Sequence, residues 1–262
     1  MNLPTLEQKK SRLFIILCGI FLTNALVAEM IGVKIFSGEH TIGLNPAQLN
    51  ILGFTMDFNL TAGAVIWPIV FITSDLINEY FGKPGVKRIS YLTAALVAYS
   101  FVVIFFTMKL PPAQWWLDAN STDAEGNYFN MEFAFNKIFG QGQRIIIGSL
   151  AAFLLGQLVD VFVFQQLRKM SGTKMLWLRA TGSTLVSQLI DSFVVLFIAF
   201  YGTFSNNQII AIGLTNYIYK FVVAILLTPV IYGGHYLIDH YLGKENAKKM
   251  SDDAAQQSGS FL

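Results

Sequence analysis

The chain has 262 residues, of which 54% are hydrophobic and only 13% are charged, and its mean hydropathy is +0.53. Soluble domains usually have about 25% charged residues, so the composition excludes an ordinary soluble protein and indicates that a lipid bilayer is the solvent. The net charge is +2, and the basic residues fall in short loops without forming a stripe, which argues against a nucleic-acid-binding protein. The single cysteine, Cys18, excludes an internal disulfide and a multi-cysteine metal site.

Apolar windows of about 20 residues, each long enough to cross a hydrocarbon core of about 30 Å, recur six times. The first begins after three basic residues, as in a secretion signal, but it continues to about Phe36, which favours an uncleaved helix. Helices are predicted near residues 12–37, 60–81, 88–110, 144–168, 179–203 and 208–237. Together they predict one transmembrane domain over residues 1–250, followed by a disordered cytoplasmic tail at 251–262.

Two predicted connections on the outer side are longer than a turn. The stretch 37–59 is broken by several glycines and a proline, which predicts a short hairpin or re-entrant element, with β structure as one option. The stretch 111–143 is the one sizeable soluble loop. Its paired Trp115 and Trp116 are typical of the aromatic belt at a membrane interface.

The distribution of positive charge predicts the orientation. Basic groups occur in the N-terminal segment, after the second helix, after the fourth helix and in the C-terminal tail, and an even number of helices puts all four on one side. The intervening loops are acidic or uncharged apart from Lys34, Lys109, Lys137 and Arg144. The positive-inside rule therefore predicts an all-α polytopic membrane protein, a six-transmembrane-helix bundle with both termini cytoplasmic.

Polar residues inside the fourth and fifth helices are the first candidates for function, since a charge at mid-bilayer costs about 2.5–3.5 kcal/mol. Gln157 and Asp160 are three residues apart on one helical face, and Gln188 and Asp191 repeat this spacing. Because successive helices run antiparallel, the two similar motifs would approach the membrane centre from opposite sides, as in transporter repeats. Chance similarity between two apolar helices is the competing explanation. We expect Asp160 and Asp191 to face one shared cavity.

The sixth helix adds Asn216 and Lys220, one turn apart, with Tyr217 beside them. Lys220 falls near the middle of its predicted span. It can neutralise one of the two aspartates or meet an acceptor on a ligand. The alternative interpretation is an interhelical ion pair that only sets the register of the helices.

The end of the second helix carries Asp75, Asn78 and Glu79, which share a face by their i, i+3 and i+4 spacing. Glu79 is close to the basic residues of 83–88, so a salt bridge at the cytoplasmic end is its favoured interpretation. Asp75 lies a turn deeper and either lines a substrate path or has a structural role. On the first helix Glu29 is intramembrane, and its partners are expected on other helices.

Signals for an enzyme are absent from the sequence. No HExxH motif and no glycine-rich loop ending in Gly-Lys-Ser or Gly-Lys-Thr occurs. Two aspartates on adjacent helices fit an intramembrane aspartyl protease in principle, but their flanks lack the Gly-x-Gly-Asp signature of that class. The sequence therefore predicts no enzymatic activity, no cofactor and no metal site.

Four segments in order, 71–82, 144–168, 178–200 and 217–229, resemble the bacterial queuosine precursor transporter family, which was earlier grouped with vitamin uptake proteins. The resemblance covers roughly residues 60–235. It implies a multi-pass transporter in the bacterial inner (cytoplasmic) membrane. It also implies import of 7-cyano-7-deazaguanine and 7-aminomethyl-7-deazaguanine, the precursors (preQ0 and preQ1) of a modified tRNA nucleoside.

The polar residues are compatible with such a base, because a carboxylate accepts two adjacent donors in bidentate fashion, an aromatic ring stacks on a plane, and amides donate and accept. The predicted partners are this small molecule and the lipid bilayer. A substrate-binding subunit of an energy-coupling uptake system and a non-transporting receptor or scaffold are the alternatives. Energy coupling, the preferred base and homo-oligomerisation stay open. The predicted substrate-binding residues are Asp160, Asp191, Gln157, Gln188, Asn216, Lys220, Asp75, Asn78, Glu79 and Tyr217.

Overall fold

The structure, a computed structural model, describes residues 5–140, 143–171 and 175–259. Its helices are α1 (Leu6–Ile31), α2 (Gly38–Thr41), α3 (Gly63–Thr107), α4 (Gln114–Ala119), α5 (Met131–Phe139), α6 (Gln143–Ser171), α7 (Leu176–Phe200), α8 (Asn206–Leu226), α9 (Thr228–Leu242) and α10 (Lys244–Gly259). Within the described ranges, five helices are long and apolar enough to cross a membrane, namely α1, α3, α6, α7 and α8. The predicted helical membrane protein is confirmed at this level.

The first helix begins earlier and ends earlier than the predicted 12–37. A capping box begins the helix. The Thr5 hydroxyl accepts a hydrogen bond from the backbone N–H of Gln8, and the Gln8 side-chain oxygen accepts one from the backbone N–H of Thr5. Three residues, 32–34, connect α1 to the first of four short strands, so this region contains the β structure that was one of the predicted options. The strands are β1 (Ile35–Ser37), β2 (Leu49–Ile51), β3 (Phe54–Met56) and β4 (Asn59–Thr61), paired antiparallel as β1 with β4 and β2 with β3.

Helix α3 is interrupted at Gly82, whose φ of 65° and ψ of −174° are not helical. A φ in this range favours glycine, and Pro84 follows two residues later. The half of α3 before Gly82 runs parallel to α6. Its Trp67 ring lies 5.7 Å from the Phe153 ring, and further along both helices Asn78 accepts a hydrogen bond from Gln165.

The half of α3 after Gly82 runs the other way along α6. Ser90 lines one small cavity with Gln157, whereas the later Ala98 lines another with the earlier Leu150. The two halves of α3 are therefore antiparallel, and the chain reverses at Gly82. This arrangement agrees with the separate helices predicted near 60–81 and 88–110.

The predicted sixth helix at 208–237 is divided in two. Helix α8 ends at Leu226, and α9 begins at Thr228. Pro229 explains the break, because proline has no N–H and clashes with the preceding turn in a helix interior, whereas the first turn of a helix tolerates it. The Thr228 hydroxyl lies 2.9 Å from the Thr181 hydroxyl of α7 and ties the break to that helix.

Helix α10 (Lys244–Gly259) covers most of the stretch 251–262, for which a disordered tail is predicted. Helix α10 is polar in composition but has a narrow apolar stripe, and Ser251 is buried beside this stripe. Residues 260–262 lie outside the described residues. The buried stripe consists of Ala247, Met250 and Ala254.

The predicted gathering of basic segments at one end of the bundle is observed. Phe14 of α1 lies 4.8 Å from Phe81, ring to ring, beside the reversal in α3. The ammonium of Lys9 donates to the carbonyl of Tyr241 at 3.0 Å, and Arg168 donates to α10. We call this end, which holds the start of α1, the reversal in α3 and α10, the basic end.

The long loop predicted at 111–143 contains α4 and α5 in its described part. Trp115 is 73% exposed, as expected for an aromatic side chain that meets an interface. Between the two helices the backbone N–H of Asn127 donates to the Asp123 carboxylate and lowers its pKa, which stabilises a tight turn.

Candidate functional site

A cleft lies between the first half of α3 and helices α7, α8 and α9. It encloses about 520 Å³ of space not filled by atoms, part of it open to the surroundings. Its polar lining consists of Asp75, Thr181, Thr184, Gln188, Tyr219 and Lys220. Its apolar lining includes Trp67, Phe71, Ile72, Val223, Leu227 and Ile231.

Helical spacing brings these side chains together. Trp67, Phe71 and Asp75 are each four residues apart, so they form one stripe along α3. The same rule aligns Thr184 and Gln188 on α7. The aromatic residues of the stripe and Tyr219 are absent from the predicted set, yet the four-residue spacing from Asp75 is a signal in the sequence that finds Trp67 and Phe71.

Asp75 lines this cleft, and one of its carboxylate oxygens lacks a hydrogen-bond partner in the described part of the chain. Its side chain is 2% exposed, and its Oδ1 has no hydrogen-bond partner among the described residues. Gln188, which also lines the cleft, has a buried Nε2 in the same condition. Buried polar groups normally form hydrogen bonds. An acceptor and a donor that lack partners in one cleft therefore indicate a site for a polar ligand.

Asp160 and Gln157 lie behind the cleft and are not part of its lining. Asp160 is 1% exposed, and its Oδ1 accepts a hydrogen bond from Ser187 at 3.3 Å. Gln157 accepts one from Ser74 at 2.8 Å. Asp160 Oδ2 and Gln157 Nε2 have no hydrogen-bond partner in the described chain. The polar layer therefore extends from the cleft into the contact between α3, α6 and α7.

Asp191 is paired with Lys220, whose Nζ lies 2.6 Å from Asp191 Oδ2. The prediction that Lys220 meets one of the two aspartates is confirmed. Lys220 lines the cleft and Asp191 does not. Asp191 instead lies against α6, where its Cβ is 3.6 Å from the position of a Cβ added at Gly156. The structure thus does not place Asp160 and Asp191 together on one cavity wall, because both lie in the α6–α7 contact.

Asn216 and Tyr217 lie on α8 within one turn of Lys220, and neither lines the cleft. Asn216 is half-buried. The Tyr217 ring is 6.4 Å from the Phe221 ring, one turn further along the same helix. Tyr219 takes the place in the cleft that was expected for Tyr217, since two residues on a helix point about 200° apart.

Glu79 forms a buried cluster with Arg168, Arg179 and Ser251, which we call the arginine cluster. Glu79 Oε1 lies 2.9 Å from Arg179 and 3.4 Å from Arg168, and it accepts a hydrogen bond from the Ser251 hydroxyl at 2.8 Å. The salt bridge predicted for Glu79 therefore exists, but with arginines of α6 and α7.

Two further predicted polar groups join α6 to other helices. Asn78 is fully buried and accepts a hydrogen bond from Gln165 at 2.7 Å. Glu29 of α1 accepts a hydrogen bond from Ser149, which confirms that its partner lies on another helix. Both contacts are outside the cleft, and Asn78 lies one turn beyond Asp75 toward the arginine cluster.

Comparison with known proteins identifies the family. Residues 61–234 match the family model described as "Putative vitamin uptake transporter". A Bacillus subtilis protein named "Probable queuosine precursor transporter" is 30% identical over 196 residues, 73% of this chain and 80% of that protein. The Escherichia coli protein named "Queuosine precursor transporter" is 29% identical over 216 residues, 80% and 85% of the two chains.

A Haemophilus influenzae protein, also named "Probable queuosine precursor transporter", is 29% identical over 194 residues, 71% of this chain and 73% of that protein. No solved structure matches the chain. The family model covers well over half of the chain, and the relatives are named as transporters, not as enzymes. The chain therefore belongs to the vitamin uptake transporter family that includes the queuosine precursor transporters, and it is a multi-pass membrane transporter.

Proposed function

We propose that this chain imports queuosine precursors, 7-deazaguanine bases, across the bacterial inner membrane. The names of three relatives support the substrate class. The reversal at Gly82 divides α3 into two antiparallel halves, which supports six crossings with α1, α6, α7 and α8. The gathering of basic segments at one end supports a cytoplasmic location for both termini.

The unpaired oxygen of Asp75 in the cleft is the observation that carries the proposal. The edge of a 7-deazaguanine presents two adjacent donors, the ring N–H and the exocyclic amine. One carboxylate can accept both in a bidentate, charge-assisted contact. Gln188 Nε2 and Lys220 are donors in the same cleft for the carbonyl oxygen next to the ring N–H of the base.

The aromatic lining provides the complementary surface for the flat ring. Trp67 and Phe71 lie on α3 above Asp75, and Tyr219 lies on α8. Aromatic rings bury a large apolar area and favour offset stacking on planar groups.

The remaining predicted residues, apart from Glu79 in the arginine cluster, serve the path through the bundle. Transporters of this kind expose a central site alternately to the two sides by moving helices against one another. Gln157 and Asp160 lie one layer behind Asp75 and meet the base when α3 and α6 shift. Asn78 and Glu79 continue the same face toward the basic end, and Asn216 and Tyr217 flank Lys220.

Uptake in cells that lack their own precursor synthesis and import tests this proposal. The wild-type chain is expected to restore accumulation of labelled 7-cyano-7-deazaguanine and queuosine in tRNA. Asp75→Asn is expected to lose both. Asparagine is uncharged and has one acceptor oxygen in place of two, so it cannot accept both hydrogen bonds from the base. Asp118→Asn, the same change at an exposed position of α4, is the matched control and keeps uptake. Unchanged uptake by Asp75→Asn refutes the assignment of the cleft.

Reconstitution separates a complete transporter from a subunit that needs an ATP-driven module. Purified chain in vesicles without any ATPase is expected to exchange labelled base for unlabelled base across the membrane. Binding without exchange would identify the chain as a substrate-binding subunit. If the chain shows neither binding nor exchange, the remaining interpretation is a receptor or scaffold in which the buried charges only hold helices together.

A further inference from the structure

The cleft is closed on the side of the basic end. On the first half of α3, the lining residues that precede Asp75 are partly exposed, namely Ala64, Trp67, Pro68, Phe71 and Ile72. From residue 73 to residue 80, where α3 continues toward the basic end, every residue is buried. The helices that pack on the segment 73–80 therefore separate Asp75 from the basic end.

Helix α9 packs on α3 along three successive turns, at Ile72, Leu76 and Tyr80. Ile72 packs against a buried cluster that includes Ile231. At the next turn Leu76 faces Gly234 so closely that a Cβ added to the glycine would lie 2.9 Å from Leu76 Cδ1. Carbon atoms prefer a longer separation, so the close approach of the two helices depends on the glycine.

The third turn is joined by hydrogen bonds of a single hydroxyl. The Tyr80 hydroxyl donates to Asp239 Oδ1 at 2.7 Å, and it lies 2.9 Å from Nδ1 of His235. A phenol has one proton to donate, so the Tyr80 oxygen accepts the second hydrogen bond from the Nδ1–H of His235. Tyr80 is 3% exposed. These two bonds hold the later part of α9 on α3, at the basic end of the cleft.

Helix α9 lies between two breaks in the chain. It begins after Leu227 with Pro229 in its first turn, and it ends at Gly243, whose φ of 87° is not helical. In α9, all of which the structure describes, the buried residues are Ile231, Ile238 and Leu242. Their i, i+7 and i+11 spacing makes one narrow stripe. A short helix that is held by one stripe between two breaks can move as a unit.

The opposite side of the same turn of α3 is held by charge. Glu79, next to Tyr80 in the chain, forms ion pairs with Arg168 and Arg179. Separation of a buried ion pair leaves uncompensated charges, whereas separation of α9 from α3 breaks the two hydrogen bonds of Tyr80 and apolar contacts. Of the two sides, the contact with α9 opens with the smaller loss.

The first turn of α9 and the break before it belong to the wall of the cleft. Leu227 and Ile231 line the cleft together with Asp75. A ligand in the cleft therefore touches the helix that closes it. Such a contact can favour one position of α9 over another, which is what a ligand must do to shift a conformational equilibrium.

We propose that α9 is the inner gate of the transporter. In the structure the gate is closed, because Ile72, Leu76 and Tyr80 all meet α9. When the gate opens, α9 moves between its two breaks, the Tyr80 hydroxyl releases its partners, and Asp75 becomes accessible from the basic end. This inference rests on the proposed function for the identity of the substrate and for the cytoplasmic location of the basic end.

A reversible cross-link between α3 and α9 tests the gate. The double variant Leu76→Cys/Gly234→Cys is made with Cys18→Ala, so that the chain holds no third thiol. Oxidation in reconstituted vesicles is expected to slow exchange of labelled base at least about tenfold, because a locked gate cannot release substrate. A reductant is expected to restore the rate, which a folding defect would not allow. Exchange by the cross-linked protein at the reduced rate overturns the proposal.

The adjacent glycine provides the matched control. An added Cβ at Gly233 would meet no atom within 4 Å. Leu76→Cys/Gly233→Cys carries the same two kinds of substitution, and it is expected to form no cross-link and to exchange base equally with and without oxidant. Inhibition of this pair by the oxidant would show that the effect does not come from the contact between α3 and α9.

Labelling of a cysteine in the cleft measures gate opening without any substrate. Thr184→Cys, again with Cys18→Ala, places one thiol on the cleft wall. A membrane-impermeant maleimide is then applied from the basic end. Adding Tyr80→Phe is expected to speed labelling about fivefold or more, since loss of a net hydrogen bond shifts a two-state equilibrium by about that factor. Tyr236→Phe, which removes a hydroxyl from the exposed side of α9, should leave the labelling rate unchanged. An equal rate with and without Tyr80→Phe contradicts the gate.

A second pair of variants decides the question if Tyr80→Phe fails to fold. Gly234→Val inserts a branched side chain between α9 and Leu76, whereas Gly233→Val places the same residue in open space. Both substitutions change helix propensity equally. Labelling from the basic end is expected to be faster for Gly234→Val only. Equal labelling rates of the two variants overturn the proposal.

The gate and the substrate assignment fail in different ways. If the wild-type chain exchanges base and the cross-link does not slow it, the gate is wrong and import of the base stands. If the wild-type chain exchanges no base but Tyr80→Phe speeds labelling, the gate stands and the substrate assignment is wrong.

Discussion

Asp75 and Glu79 are four residues apart on the same helix, and both are buried, yet their surroundings differ. Glu79 is held by two arginines and a serine hydroxyl in the arginine cluster. Asp75 faces the cleft with an oxygen that has no hydrogen-bond partner among the described residues. Glu79 Oε2 also has no hydrogen-bond partner in the described chain, so the difference lies in the ion pairs: among the described residues Glu79 forms two of them and Asp75 forms none.

The comparison shows how buried charges in a membrane protein can be sorted. A carboxylate with matched cations is part of the architecture, because removing either side leaves an uncompensated charge. A buried carboxylate without a cation beside it lowers stability, and a ligand or a proton can supply the missing positive charge. Substitution of a carboxylate that has cations beside it and substitution of one that has none are therefore expected to change the free energy of unfolding in opposite directions.

The largest effect on stability is expected for Glu79→Gln. It leaves Arg168 and Arg179 buried without their anion, which should lower the free energy of unfolding by about 3–5 kcal/mol. Chemical unfolding of the detergent-solubilised protein measures it. Glu245→Gln, on the exposed side of α10, is the control and should be within about 0.5 kcal/mol of wild type. An equally small effect at Glu79 would show that the arginine cluster is not structural.

Asp75→Asn is expected to have the opposite signature. Substrate affinity should fall by about 10–100-fold, which corresponds to the 1.5–3 kcal/mol of a hydrogen bond to a charged group. The free energy of unfolding should be unchanged or higher, because a buried charge without a partner is removed. Titration of labelled base and chemical unfolding give the two values. Lower stability together with normal affinity would place Asp75 with Glu79 among the structural carboxylates.

Asp160→Asn tests how deep the functional layer extends behind the cleft. We expect uptake to fall by about tenfold or more while the amount of protein in the membrane stays near wild type, as for Asp191→Asn. Asparagine keeps an acceptor for the Ser187 hydroxyl, so the helix contact is preserved. Normal uptake by both variants would show that neither aspartate of the two similar motifs takes part in transport.

The smallest effect is expected for Ser251→Ala on α10. It removes one hydrogen bond to Glu79 and one from Arg168, while the ion pairs of the cluster stay in place. A net hydrogen bond contributes about 1 kcal/mol, so the free energy of unfolding should fall by about 1–2 kcal/mol with normal uptake. A complete loss of uptake would instead show that α10 has a direct role in transport.

Local patterns were sufficient for a large part of the fold. Apolar runs located the long helices, and the gap between the windows predicted at 60–81 and 88–110 contains Gly82, where the structure reverses. The pairing of Lys220 with an aspartate also followed from composition, since a lone ammonium inside a bilayer requires an anion. The end of α8 at Leu226 was missed, although Thr228-Pro229 was visible in the sequence.

The sequence by itself determined that this is a helical membrane transporter, because hydrophobic length, intramembrane charge and motifs in order are all properties of neighbouring residues along the chain. Only the tertiary structure decided which buried carboxylate faces the cleft. Asp75, Gln188 and Lys220 line that cleft, whereas Asp160 and Asp191, the expected pair, do not. Helical spacing gives the face of each helix, but how neighbouring helices are rotated against one another depends on contacts between distant residues, such as Gly156 against Asp191 and Glu79 against Arg179.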